Sequence, residues 1–494
     1  MKKVIVIGLD GLEPKIVESL LAAGDLPNLA QLGAHGGYAR IGTTCPAQTP
    51  VAWSTFATGT NPGGHGIFDF IRRDPATYLP DFSLNRFERK APYLPAEAVN
   101  LRRGAPVWEL LSAAGIPSTI IRCPCTFPPD SLRGRMLAGM GVPDLRGGQG
   151  TSTLYTSTGH VTVREHEQAV KVQPDANGTI RTHLVGPRNP KTRADFRCDM
   201  TIHLEPAAKK IVLRSAGQPA VMELREGEWS EWLKVKFKTG LVRAVRGAVR
   251  FFLVQVAPVF ELYASPVNFD PDAPLFPISS PPGYARELAA ALGTFYTTGM
   301  VEDHSGFEHD RLSASAYLEQ CAGVLRERER MLHHELARFS DGLLFCLFDT
   351  PDRVQHMFWR SGAGEHAGMP GDIRGQWADV ITEHYRDCDA VVGRALEYAD
   401  DRTLFLVLSD HGMNSFQRGV HLNTWLYDHG FLALRSGIRP GDGARDFFHG
   451  VDWERTKAYA LGLAGIYLNL KGREGRGIVD AAESDAVTSA IVKG

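Results

Sequence analysis

Apolar residues fall into two textures along this chain. In the first, short unbroken apolar runs alternate with segments whose apolar positions recur every three or four residues. Residues 4–8, Gly342–Phe348 and Thr403–Leu408 are the clearest unbroken runs. Such runs suit strands buried on both faces of a parallel sheet. Helical patterns lie between them at 13–23 (with Pro14 in the first turn), 27–32, 51–58 (ending at Gly59), 106–114, 312–339 and 373–398. Residues 38–42 and 118–122 read as further strands. Strand and helix in alternation predict an α/β core, with a mainly parallel central sheet flanked by helices.

The second texture occupies residues 147–282, which are rich in Thr, Val, Gly and Pro. Segments such as 160–164, 170–172, 201–204 and 210–213 alternate over a few residues and then break, as short antiparallel strands do. The expected division is an α/β core of residues 1–146 and 283–494, interrupted by a β-rich insertion or cap at 147–282. No internal repeat is visible.

Composition narrows the function classes. A chain of 494 residues, 43% hydrophobic and 22% charged, is an ordinary globular composition with room for more than one domain. A formal net charge of -2 gives no electrostatic case for nucleic acid or a membrane surface. Met1-Lys2-Lys3 and the run after it do not make a signal peptide, because the run is short and Asp10 interrupts it. The stretch 251–263 is too short to span a bilayer. A cytoplasmic location is therefore the expectation. Seven cysteines, an odd number in a long chain, read as buried reduced thiols rather than a disulfide framework. Cys123-Pro124-Cys125 is too tight for a zinc knuckle.

Three apolar strands end in acidic residues: 4–8 in Asp10, Gly342–Phe348 in Asp349 and Asp352, Thr403–Leu408 in Asp410-His411. If the strands are parallel neighbours, these groups gather at the carboxyl edge of one sheet, where open α/β sheets bind ligands. Asp352 and His356 are spaced to share one face of a helix. Each residue alone has a plainer role, since a strand-end Asp is often a helix cap and a single His is often structural. Three strand ends with the same ligand types favour a metal site, and Asp and His without Cys suit Zn²⁺ or Mn²⁺. So many carboxylates call for more than one cation. Thr49 heads the helical pattern after Gln48, where a hydroxyl is either an N-cap or, beside metal ions, a nucleophile.

The segment from Thr49 to Ile67, with Thr49, Thr58-Gly59, Pro62 and His65-Gly66-Ile67, resembles the nucleophile segment of the type I phosphodiesterase/nucleotide pyrophosphatase family of the alkaline phosphatase superfamily. Val6-Ile7-Gly8-Leu9-Asp10-Gly11, Pro351-Asp352 through His356, and Ser409-Asp410-His411-Gly412-Met413 resemble its metal-binding motifs, in family order. The resemblance implies an alkaline phosphatase-like fold and two divalent ions, usually zinc. One ion would be held by Asp10, Thr49, Asp410 and His411. The other would be held by Asp352, His356 and a third ligand. It further implies in-line attack by Thr49 on a small phosphorylated substrate, through a phosphothreonine that water then hydrolyses.

Two positions depart from the family pattern. Where its phosphodiesterases carry an Asn after His-Gly-Ile, this chain has Phe70 beside Asp69, with Arg72 or Arg73 as alternative phosphate contacts. For the third ligand of the second ion, His421 is the nearest candidate. The alternative is a residue beyond Gly494, because the sequence stops within the helix-like segment 481–492. Gly139-Met140-Gly141 lacks a dinucleotide fingerprint, Cys45-Pro46-Ala47-Gln48 lacks the sulfatase pattern, and no Gly-x-Ser-x-Gly elbow occurs. The expected activity is two-metal hydrolysis of a phosphoester, phosphoanhydride or phosphonate. The rivals are a phosphoglycerate mutase-like phosphotransfer and a non-catalytic metal- or ligand-binding protein.

Overall fold

The computed structural model describes residues 3–90, 96–159, 161–189, 192–216, 221–240, 243–362, 376–416, 418–442, 447–463 and 465–494. Part of the expected segment 160–164 and the start of 373–398 lie outside these residues. The elements that build the site are, in chain order, β1 (Lys3–Leu9), α1 (Pro14–Ala23), α2 (Thr49–Thr58), β2 (Ser118–Ile121), β3 (Gly134–Leu137), β4 (Ser279–Ser280), α3 (Ala314–Leu336), β5 (Gly342–Phe348), α4 (Thr350–Gly362), α5 (Val380–Leu396) and β6 (Thr403–Leu408).

The central sheet has the order β4-β3-β2-β5-β1-β6. All its pairings are parallel except β4 with β3. The α/β class and mostly parallel sheet are those expected. The register aligns Leu9 with Phe348 and Gly8 with Leu408. Asp10 N–H extends the ladder to Phe348 O at 2.9 Å. The strand ends carrying Asp10, Asp352 and Asp410 are thus level with one another.

The two-residue repeat of a strand divides the core. Ile5, Ile7 and Leu9 pack with Leu344, Cys346 and Phe348 on one face. Val6 packs with Leu343, Phe345, Leu347 and Trp53 of α2 on the other. Gly8 faces Trp53, and a Cβ there would come 2.7 Å from the indole. The missing side chain leaves room for the edge of the indole, whose Nε1 reaches Asp10 Oδ2.

Between β3 and β4 the chain forms small sheets, mostly antiparallel. Thr179–Arg188, Asp195–Glu205, Lys210–Ser215 and Val221–Arg225 make one. Phe251–Gln255, Glu261–Ala264, Ser152–Thr156 and Glu167–Lys171 make another, its last pair parallel. Leu233–Lys238, Ala244–Val249 and Asn268–Phe269 make a third, and inward residues of these sheets, among them Val235, Phe237, Phe251 and Leu262, share one buried cluster with Ile7 and Leu344.

Two local expectations need correction. Residues 38–42 form no strand; Tyr38 and Ile41 are 52% and 74% exposed. Their apolar spacing finds no neighbouring edge to pair with. The run Thr403–Leu408 is the sheet's edge strand, with Leu404 and Leu406 partly exposed. An unbroken apolar run does not distinguish an edge strand from a central one. Among the described residues, no helix is long and apolar enough to cross a membrane.

Candidate active site

Gly11 follows Asp10 with φ 71, a left-handed turn that glycine adopts without strain. Its N–H donates to Asp410 Oδ1 at 3.1 Å, and its carbonyl accepts from Gln355 Nε2 at 2.7 Å. A Cβ on Gly11 would come within 3.0 Å of Asp352, so the glycine also permits that carboxylate's approach. One turn therefore ties together the ends of β1, β6 and α4. Ser409 Oγ accepts from Leu12 N and donates to His411 O, both at 2.8 Å, holding the loop after β6 against the loop after β1.

Asp10, Asp410 and His411 lie within 4.8 Å of one another through one ligand atom each. Thr49 joins them. Its Oγ1 donates to Asp10 Oδ1 at 3.2 Å and lies 3.1 Å from His411 Nε2. The helix begins at Thr49 itself, and Gln48 is its N-cap. The hydroxyl is thus turned to the carboxylates and imidazole and does not cap the helix. His411 Nδ1 lies 2.8 Å from Gly412 O. A proton on Nδ1 satisfies that carbonyl and leaves the Nε2 lone pair facing Thr49 and the carboxylates.

Asp352 opens α4, and its Oδ1 is 3.3 Å from His356 Nε2, one turn later. Asp349, on the same loop, lies 3.8 Å from Arg328 of α3. Arg72 pairs with Asp81, and Arg73 with Glu474 and Tyr459, so both arginines already have protein partners. Asp69 is buried and accepts from Leu463 N at 2.8 Å. His421 is exposed at the start of Leu422–Asp428. Among the described residues, no hydrogen bond or ion pair links it to Asp352 or His356. All seven cysteines are free, and burial pushes the Cys125 thiol up to about 11.

Electrostatically the cluster is loaded against itself. Burial, then the charges of Asp410 and Asp352, raises the Asp10 pKa well above the ordinary carboxylate value. Burial also raises Asp410. Burial works the same way on Asp352, but His356 and Arg353 outweigh it and hold that group low. The Asp352 carboxylate in turn raises His356.

The donor set fits divalent cations. In each aspartate a protein donor holds one oxygen: Trp53 Nε1 on Asp10 Oδ2 at 3.0 Å, Gly11 N on Asp410 Oδ1, and Arg353 Nη1 on Asp352 Oδ2 at 3.1 Å. Asp410 Oδ2 and Asp352 Oδ1 are buried without a hydrogen-bond partner. Orphaned carboxylate oxygens beside imidazole nitrogens suit a cation. Reading the sequence for ligand types missed Trp53 and Arg353, although Trp53 lies four residues after Thr49 on one helix face and Arg353 adjoins Asp352. Trp53→Phe keeps a ring in the slot and removes the donor. Its Zn²⁺ affinity, measured by competition with a chromogenic chelator, should fall about tenfold. Unchanged affinity would mean that Asp10 needs no such anchor.

Residues 4–171 and 259–494 match the family described as type I phosphodiesterase / nucleotide pyrophosphatase. A search of curated proteins finds no significant match. The family's members are hydrolases of the alkaline phosphatase superfamily, typically dependent on divalent metals and acting on small phosphorylated substrates such as nucleotides. The match leaves out only residues 172–258 between its two parts and takes in Asp10, Thr49, Asp352, His356, Asp410 and His411, so the chain belongs to the type I phosphodiesterase/nucleotide pyrophosphatase family.

Proposed function

We propose that this chain is a two-metal hydrolase of a phosphoester, phosphoanhydride or phosphonate, with Thr49 as nucleophile. The carrying observation is the Thr49 hydroxyl held between Asp10 and His411 at the start of α2. Asp10, Thr49, Asp410 and His411 would hold one ion, and Asp352 with His356 the other. Zn²⁺ suits this Asp/His set best, with Mn²⁺ possible. The bound ions would lower the pKa of the attacking hydroxyl and offset charge on the phosphoryl oxygens. The core is alkaline phosphatase-like, and residues 147–282 are a β-rich insertion that walls the substrate site.

The chain's own residues supply the remaining steps. Asp10 and His411 fix the position of Thr49 Oγ1, and Asp10 Oδ1, which accepts that hydroxyl, is placed to take its proton. Pro50 has no N–H, and the amides of Val51 and Ala52 bond to Gln48 O. The Thr49 amide, at the positive end of the helix, is the donor left for a phosphoryl oxygen. Attack by Oγ1 forms the Oγ1–phosphorus bond and breaks the bond from phosphorus to the leaving group, which departs with the electron pair; water then splits the phosphothreonine and restores the Thr49 hydroxyl.

Zn²⁺- or Mn²⁺-loaded protein should hydrolyse p-nitrophenyl phosphate or bis-p-nitrophenyl phosphate, and EDTA should remove at least about 99% of the rate. The preferred substrate would separate monoesterase from diesterase. A folded, metal-loaded chain that turns over neither would count against catalysis and favour a binding protein.

A further inference from the structure

None of the metal-ligand candidates lies on α5, yet one of its side chains reaches the segments that hold them. Tyr385 sits in a buried cluster with Val17 of α1, Val354 and Phe358 of α4, and Ile381. It is 2% exposed. Its phenol Oη accepts from Glu13 N and donates to Gln355 Oε1, both at 2.8 Å. We infer that Tyr385 is a positioning residue that sets the ligands of one ion against those of the other. The inference rests on the two-metal reading above and adds to it a residue outside the ligand segments.

The polarity of these bonds allows one arrangement. Gln355 Nε2 donates to Gly11 O at 2.7 Å and to Pro351 O at 3.1 Å. An amide turned over would set its oxygen against two carbonyls, so Oε1 must face the phenol. The single phenol proton goes to Oε1, and a lone pair on Oη takes the Glu13 N–H. Burial raises the phenol pKa, so the donor persists at alkaline pH. A buried network in which each of these groups is satisfied holds its members rigidly.

Both ligand sets hang on this network. Gln355 lies on the helical turn between Asp352 and His356. The carbonyl that it holds belongs to Gly11, whose N–H holds Asp410. Glu13 carries the link to the loop after β6. Its Oε2 accepts from Met413 N at 3.0 Å, two residues after His411. Gly412 gives this bond room, since a Cβ there would collide with Glu13 Oε2. Each set is also fixed internally without Tyr385. Asp352 and His356 share one turn of α4, while Trp53, Gly11 and the Gly412 carbonyl hold Asp10, Asp410 and His411. Removing the phenol therefore loosens α4 against the β1 and β6 loops and leaves the spacing within each set. In-line attack needs both sets on one phosphoryl group, so the loss falls on turnover and on binding of the second cation.

The test compares three variants of the full chain: Tyr385→Phe, Gln355→Met and, as a control, Tyr284→Phe. The control also removes a buried phenol bond, from Tyr284 Oη to Glu335 Oε1 at 2.9 Å. Glu335 precedes β5 and the ligands follow it, so that bond lies at the other end of the sheet. Tyr385→Phe should lower kcat about tenfold on whichever nitrophenyl ester the wild type hydrolyses, with KM within about twofold. Its second Zn²⁺, titrated against a chromogenic chelator, should bind about tenfold more weakly. Tyr284→Phe should lose stability in EDTA and keep kcat and both Zn²⁺ affinities. Gln355→Met, similar in volume, should behave as Tyr385→Phe does, and it decides the question if that variant does not fold. A lower melting temperature alone in both network variants, with kcat and second-site affinity as in the control, would overturn the inference and leave the hydrolase reading standing. A wild type that hydrolyses neither ester would remove the hydrolase reading, and the Zn²⁺ titration would still decide the role of Tyr385. A wild type that binds a single Zn²⁺ would overturn the inference outright.

Discussion

Thr49→Ala should lower kcat by at least about a thousandfold while leaving the protein folded and able to bind metal. Losses of that size follow when a nucleophile is removed and binding and electrostatic groups stay in place. The substitution takes one hydroxyl from between Asp10 Oδ1 and His411 Nε2. It should not disturb α2, because that hydroxyl makes no capping bond and alanine is a good helix former. Asp10, Asp410 and His411 keep their mutual spacing through Trp53, Gly11 and the Gly412 carbonyl. Thr49→Ser should retain measurable turnover, since it keeps the oxygen. Mass spectrometry of acid-quenched protein should find phosphate on residue 49 in the wild type and in the serine variant. An alanine variant within tenfold of wild type would assign attack to another group.

The strand-end carboxylates were legible because parallel register is a short inference from apolar runs. Once 4–8, Gly342–Phe348 and Thr403–Leu408 are neighbours, Asp10, Asp352 and Asp410 must converge. The Asp352–His356 pair followed from helix periodicity alone. Contacts joining distant parts of the chain through single side chains were not legible. Nothing periodic in the sequence announces that Gly8 leaves space for the Trp53 indole, or that Met300 meets Arg353. The edge position of β6 was hidden for a related reason. Its residues are as apolar as those of β5, and only the topology shows that one side lacks a partner strand. The Tyr385 phenol joins Glu13 to Gln355, which are remote in sequence.

Asp10→Asn should abolish metal-dependent turnover and yet raise the stability of the metal-free protein at pH 7.5. The argument is one of linkage. The folded-state pKa of Asp10 is raised, first by burial and then by Asp410 and Asp352. Above the unfolded pKa of about 3.9, the folded state therefore holds more protons than the unfolded state. Its contribution to stability falls as pH rises from there toward the folded pKa, and the penalty is complete above that value. Asparagine removes the charge and preserves both contacts, with Oδ1 accepting from Trp53 and Nδ2 able to donate to Thr49 Oγ1. In EDTA at pH 7.5 the variant should melt about 2–4 °C above wild type, and near pH 4 the gap should close. Zn²⁺ should reverse the order, because cation binding stabilises wild type by mass action and the variant has lost a ligand charge. If the metal-free variant melts below wild type at pH 7.5, electrostatic strain is not what the cluster stores, and Asp10 serves the fold as much as the cation.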